Sequence, residues 1–168
     1  TSADYMGMLG TVINSLALQN ILSQKNVPTE ILSAIPMKPV CEQYSRAHAI
    51  EYLAKKNLII FAAGTGNPFF TTDTAATLRA IEMNCQVILK GTLVDGVYDS
   101  DPKFNPKAIR YENLDYNQVL NENLGVMDTS AITLAKDHLI PIIVFSILES
   151  GALLNALNGT GKFTTING

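Results

Sequence analysis

Leu58-Ile-Ile-Phe-Ala-Ala-Gly-Thr-Gly-Asn-Pro-Phe-Phe-Thr-Thr-Asp73 is the stretch on which the fold reading turns. Its opening residues, Leu58 to Ala63, form an unbroken apolar run of the length of a buried strand. Gly64 and Gly66 then let the main chain turn and approach a ligand closely. Beyond them, Thr74-Ala-Ala-Thr-Leu-Arg-Ala-Ile-Glu-Met83 has the pattern of a helix. A buried strand emptying through a glycine turn into a helix start is the repeating unit of parallel α/β sheets. The unpaired N–H groups of such a start, with its partial positive charge, favour an anion. Thr65, Asn67, Thr71 and Thr72 add hydroxyl and amide groups. Phe69 and Phe70, unfavourable on a bare polar loop, are suited to covering a planar base. The plainer alternative is an Asn67-Pro68 turn followed by an N-cap at Thr72 or Asp73. A cap needs one hydroxyl, whereas this loop supplies three threonines. The loop therefore reads as a site for a phosphorylated small molecule.

Outward from this segment the pattern repeats. Leu9, Val12, Ile13, Leu16, Ala17, Asn20 and Ile21 share a face at helical spacing, which predicts a helix from about Asp4 to Gln24. A short strand at Ile31–Ile35 follows, then a helix capped by Ser45 and running to about Asn57, with Ala49, Ile50 and Leu53 inward. On the far side come a strand at Gln86–Lys90, a short strand near Ile109–Glu112 and a helix capped by Asp115. A helix from Asp128 to about His138, a strand at Ile142–Phe145, a short helix near Ala152–Leu157 and a strand near Phe163–Ile166 complete the chain. The expected architecture is α/β, a three-layer αβα sandwich with a mainly parallel sheet, in one domain spanning residues 1–168. Ligands of such sheets bind beyond the carboxyl ends of the strands.

Composition narrows the partners. The chain has 168 residues, is 47% hydrophobic and 16% charged, and carries a net charge of −3, so it reads as globular and without a basic surface. Neither nucleic acid nor an anionic membrane is an expected partner. No apolar run reaches the ~18 residues of a spanning helix. Cys41 and Cys85 match no metal or redox spacing and read as reduced cytosolic thiols, implying a cytoplasmic protein. Because the chain opens Thr1-Ser-Ala-Asp4 and enters a helix almost at once, it is expected to begin partway through a larger domain.

A second constellation, Lys90-Gly-Thr-Leu-Val-Asp-Gly-Val-Tyr-Asp-Ser-Asp-Pro102, combines glycines, a hydroxyl at Thr92, an aromatic face at Tyr98 and carboxylates that include Asp101. It lacks the glycine and distal glutamate of a calcium loop; a solvated acidic turn is its plain alternative. Asn158-Gly-Thr-Gly-Lys162 is similar to a nucleotide P-loop, but Ala156 and Phe163 occupy defining positions, so it reads as a turn. His48 and His138 have no Cys, Ser or acidic partner at useful spacing. Asp4 and Asp128 each precede or open a helix, which capping explains by default; Asp4, however, introduces Tyr-Met-Gly-Met, where a small residue would let a ligand pack close. No residue set has the spacing of a metal site, and none the arrangement of a hydrolase triad.

At these residues the chain resembles the bacterial uridylate (UMP) kinases, members of the amino-acid kinase fold family. The resemblance is carried by Asp4-Tyr-Met-Gly-Met-Leu9, Ser33-Ala-Ile-Pro36, the Ala63–Asp73 loop, Leu89-Lys90, Val94-Asp-Gly-Val97 and Val126-Met-Asp128. It implies transfer of the ATP γ-phosphoryl group to UMP, with Mg²⁺. It further implies that Asp4 holds the UMP ribose and that Thr65, Gly66, Asn67, Pro68, Phe69, Phe70, Thr71 and Thr72 surround uracil and phosphate. Thr92, Tyr98 and Asp101 would contact ATP, and Asp73 and Asp128 would be the catalytic carboxylates. The family's N-terminal lysine strand and triple-glycine loop do not occur here, so the chain corresponds to a C-terminal part of the fold with part of the phosphate-handling apparatus missing. Homohexamer assembly and inhibition by UTP are implied too; Glu30 and Asn57 stand where arginines would favour activation by GTP. The alternative within the same fold is a non-catalytic protein that binds or stores nucleotides or oxyanions.

Overall fold

The computed structural model describes residues 1–168 and divides them into two compact units, Thr1–Met83 and Asn84–Gly168. Each is α/β, as expected. In the first unit, α1 (Ser2–Gln24), β1 (Thr29–Ser33), β2 (Glu42–Gln43), α2 (Arg46–Ala54), β3 (Leu58–Ala62) and α3 (Thr72–Glu82) follow in order. The three strands pair in the order β2-β1-β3, all parallel, with Ile31 opposite Ile60 and Ser33 opposite Ala62. Helix α1 packs on β1 and β3, and α2 on β3.

The second unit contains β4 (Ile88–Thr92), β5 (Asn113–Asp115), α4 (Tyr116–Asn121), α5 (Thr129–Asp137), β6 (Ile142–Ser146), α6 (Ala152–Leu157) and β7 (Phe163–Asn167). Its sheet runs β4-β6-β7-β5. Parallel pairing joins β4 to β6 and β5 to β7, while β6 and β7 are antiparallel. The sheet is thus two parallel pairs, with β5 and β7 running against β4 and β6, a reversal that apolar patterning does not reveal.

Local chemistry fixes the element ends. Ser45, Thr71, Asp115 and Asp128 each accept a backbone N–H two or three residues into the following helix, at 3.2, 3.1, 2.8 and 3.0 Å. Every helix is followed by a residue in the left-handed region: Asn26, Lys56, Asn84, Asn123, Leu139 and Gly159. This conformation satisfies the terminal carbonyls. Asn158–Lys162 is a turn between α6 and β7, as expected.

Two expected helix faces are corrected. In α1 the buried residues are Met8, Val12 and Ser15, whereas Leu9 and Ile13 are 47% and 67% exposed. Apolar residues occur all round this helix, so spacing does not identify the inner face; packing against Ile31, Ala62 and Ala63 does. In α2 only Ala49 is buried, and Ile50 and Leu53 are exposed. Boundaries also move. Strand β4 lies two residues beyond the expected span, and the strand expected near Ile109–Glu112 is Asn113–Asp115, preceded by a single bridge between Tyr98 and Arg110.

Candidate functional site

The turn after β3 is built from left-handed residues: Ala63 (φ 64°), Gly64 (56°), Gly66 (76°) and Phe69 (71°). For Ala63 this conformation costs about 1–2 kcal/mol, so surrounding contacts must hold it. One is the Thr11 hydroxyl, which accepts the Ala63 N–H at 2.8 Å and donates to the Met8 carbonyl at 2.6 Å. Another is the Gly66 N–H, which donates to the Ala63 carbonyl at 2.9 Å. Gly66 also lies against the turn after β1: a Cβ there would stand 3.0 Å from the Ala34 carbonyl oxygen. That turn is itself locked, because the buried Ser33 hydroxyl donates to the Ile35 carbonyl and accepts the Ile35 N–H.

Within the loop, the Thr65 hydroxyl accepts the Asn67 N–H and donates to the Asn67 carbonyl, both at 3.1 Å. The Asn67 amide donates to the Thr65 carbonyl at 3.3 Å. The N-cap of α3 is Thr71, one residue before Thr72 and two before Asp73, the expected caps, and Asp73 lies in the first turn. Asp4, Gly7 and Thr11 on α1, Thr65 in the turn, and Phe70 and Thr72 at the head of α3 line one cavity of about 260 Å³. Four of the residues expected to hold UMP thus meet there: Asp4, Thr65, Phe70 and Thr72. Gly66, Asn67, Pro68, Phe69 and Thr71 shape the turn outside the lining, and Phe69 is 85% exposed. Asp4 lies inside the first turn of α1 and does not cap it; its carboxylate is 3.5 Å from the Thr1 ammonium.

In the second unit, Thr92, Tyr98 and Asp101 line a single cavity of about 520 Å³. The Tyr98 hydroxyl donates to Asp95 Oδ1 at 2.6 Å; that bond and burial push the phenol above its ordinary pKa. The ring is therefore held as a neutral plane. Thr92 accepts the Val94 N–H at 3.0 Å, and Asp101 accepts the Lys103 N–H at 2.8 Å. Glycine is required at 96: φ is 153°, and a Cβ would lie 2.5 Å from Thr164 Oγ1. Thr164 in turn accepts the Val97 N–H at 2.9 Å. Asp128 caps α5, so the default reading of that residue holds whatever else it does. No three metal-binding side chains converge within either unit.

Sequence reasoning missed several contributors. Thr11 and Ala63 are 52 positions apart, and nothing local marks the pair. Asp95 was legible only as one carboxylate among several. The buried Arg79 lies 3.7 Å over the Tyr44 ring and 2.5 Å from Glu82 Oε2, and Tyr44 donates to the same oxygen at 2.6 Å.

Cavities near the carboxyl ends of parallel strands are where α/β sheets bind their ligands. Residues 1–146 match the amino acid kinase family, and the chain belongs to that family. Within it, the chain belongs with the uridylate kinases. It is 57% identical over all 168 residues to the uridylate kinase of Cereibacter sphaeroides, spanning 68% of that protein. It is 56% identical over 165 residues to that of Rickettsia felis, again spanning 68%. The UMP kinase structure from Ureaplasma parvum superposes with a TM-score of 0.95 at 43% identity, covering 99% of this chain and 71% of that one. The Bacillus anthracis UMP kinase structure gives 0.94 at 42% identity, covering 99% and 69%.

Proposed function

We propose that this chain binds UMP in the cavity of the first unit and ATP in the cavity of the second, and serves phosphoryl transfer between them. In that reaction a UMP phosphate oxygen bonds to the γ-phosphorus as the bond to the β-phosphate oxygen breaks, giving UDP and ADP. The observation that carries the reading is the convergence of Asp4, Thr65, Phe70 and Thr72 on one cavity at the start of α3. There a carboxylate suits ribose hydroxyls, a ring suits a base, and a helix start suits a phosphate. The second cavity supports the ATP assignment through the fixed Tyr98 ring and the hydroxyl of Thr92.

Asp73 and Asp128 are assigned as the carboxylates that organise the reacting groups. Mg²⁺ is assigned to the nucleotide phosphates and water, the coordination this ion favours. When bound, the ion neutralises charge on the transferred oxygens. The two units are read as parts of one amino-acid kinase domain, supported by a family match that crosses their boundary. UTP is assigned to the UMP cavity as an inhibitor, and the chain to a cytoplasmic homohexamer. Exposed Met6, Leu9 and Ile13 on α1 support self-association, and no helix is long and apolar enough to cross a membrane.

Calorimetric titration of the chain with UMP, ATP and molybdate tests the reading. Saturable binding of UMP and of ATP, without molybdate uptake, is expected. Molybdate uptake without UMP binding would replace it with an oxyanion-storage role.

A further inference from the structure

We propose that Thr11 is a positioning residue for UMP, acting through the amide of Ala63; the inference rests on the reading of the 260 Å³ cavity as the UMP site. The Ala63 N–H stands one residue past the end of β3, where the parallel ladder offers it no further acceptor. Ala63 is fully buried, so water cannot take that place. The Thr11 oxygen does, at 2.8 Å. Because the Thr11 hydroxyl hydrogen is committed to the Met8 carbonyl, a lone pair is left aimed at the amide.

This one bond joins the two walls of the cavity. Asp4, Gly7 and Thr11, at i, i+3 and i+7, form the stripe of α1 that lines it, and Gly64 and Thr65 immediately follow Ala63 on the other side. The left-handed Ala63–Gly64 pair is a conformation that persists only under constraint. Removing the acceptor leaves a buried donor unsatisfied, and the least-resisted response is for the turn to relax toward solvent. Thr65 then moves relative to Asp4. Thr11 lines the cavity too, but its hydroxyl is engaged with Met8 and Ala63, so its role is to set the spacing of the groups that hold the nucleotide.

The test uses the full 168-residue chain with Thr11→Val, which keeps the shape and loses the hydroxyl, and Thr11→Ser, which keeps the hydroxyl. UMP and ATP affinities are measured by calorimetry, and Ala63 amide exchange by NMR. Thr11→Val is expected to weaken UMP about tenfold or more, a change of about 1.4 kcal/mol, to speed exchange at Ala63, and to leave ATP affinity unchanged. Thr11→Ser is expected to restore UMP affinity to within a few-fold of the wild type. Wild-type UMP affinity in Thr11→Val, or unchanged Ala63 protection, would overturn the proposal. Parallel loss of UMP and ATP binding would overturn it in favour of a purely structural role. If the wild type itself binds no UMP, the proposed function falls, and this inference falls with it.

Discussion

Gly7→Ala separates helix stability from ligand binding. Gly7 lies in the interior of α1, where glycine is less favourable than alanine by about 1 kcal/mol. An added Cβ would meet nothing within 4 Å, so the substitution introduces no clash in the free protein. Stability should therefore rise by about 1 kcal/mol, a shift of about 2–4 °C in Tm for a chain of this size. Gly7 also lines the 260 Å³ cavity, a volume below the usual range for small-molecule pockets. A methyl group pressed against a bound nucleotide should cost about 1–3 kcal/mol, as overpacking does in cores. That corresponds to a loss of about 5- to 150-fold in UMP affinity. Thermal unfolding and calorimetry on the same preparation read both effects, which are expected to have opposite signs. A higher Tm with unchanged UMP affinity would remove this face of α1 from the binding site. A lower Tm would refute the account of the helix itself.

Two further outcomes follow from contacts elsewhere. Tyr98→Phe keeps the ring and loses only the bond to Asp95, so ATP affinity should fall no more than a few-fold, whereas Tyr98→Ala should lose a stacking contribution of about 1–3 kcal/mol; undiminished ATP binding by Tyr98→Ala in a calorimetric titration would exclude the ring from the adenine contact. At Glu82, burial pushes the carboxyl up, but hydrogen bonds from Tyr44 and Arg79 outweigh it and hold the pKa below its ordinary 4.5. Its stabilising contribution is therefore complete above pH 4.5 and is lost as pH falls through the lower folded value. Thermal melts should show the wild type losing Tm more steeply than Glu82→Gln over that acid range, and parallel curves would show that the network does not stabilise the fold.

How far the sequence could lead depended on whether a feature was local. The helix at Ala152–Leu157, the caps at Asp115 and Asp128, and the apolar strands β3 and β6 are each written in a few consecutive residues, and each forms where it was expected. Strand β4 runs past its expected end because Gly91 and Thr92 carry no apolar signal, yet pair with Phe145 and Ser146. The inner face of α1 is undetermined by periodicity because Leu9, Ile13 and Leu16 are as apolar as Met8 and Val12. What selects Met8 and Val12 is a sheet formed by residues that follow in the chain. The candidate site shows the same division. Thr65, Phe70 and Thr72 could be singled out from sequence, because a phosphate-favouring helix start and a glycine turn are local motifs; Asp4, ambiguous by itself, joins them through the family resemblance. The device that sets their spacing could not. A threonine hydroxyl that closes on an amide 52 residues away becomes visible only once α1 lies across β3. Residue types near a glycine turn can therefore mark where a ligand is expected, while the spacing of those groups depends on contacts that only the folded chain makes.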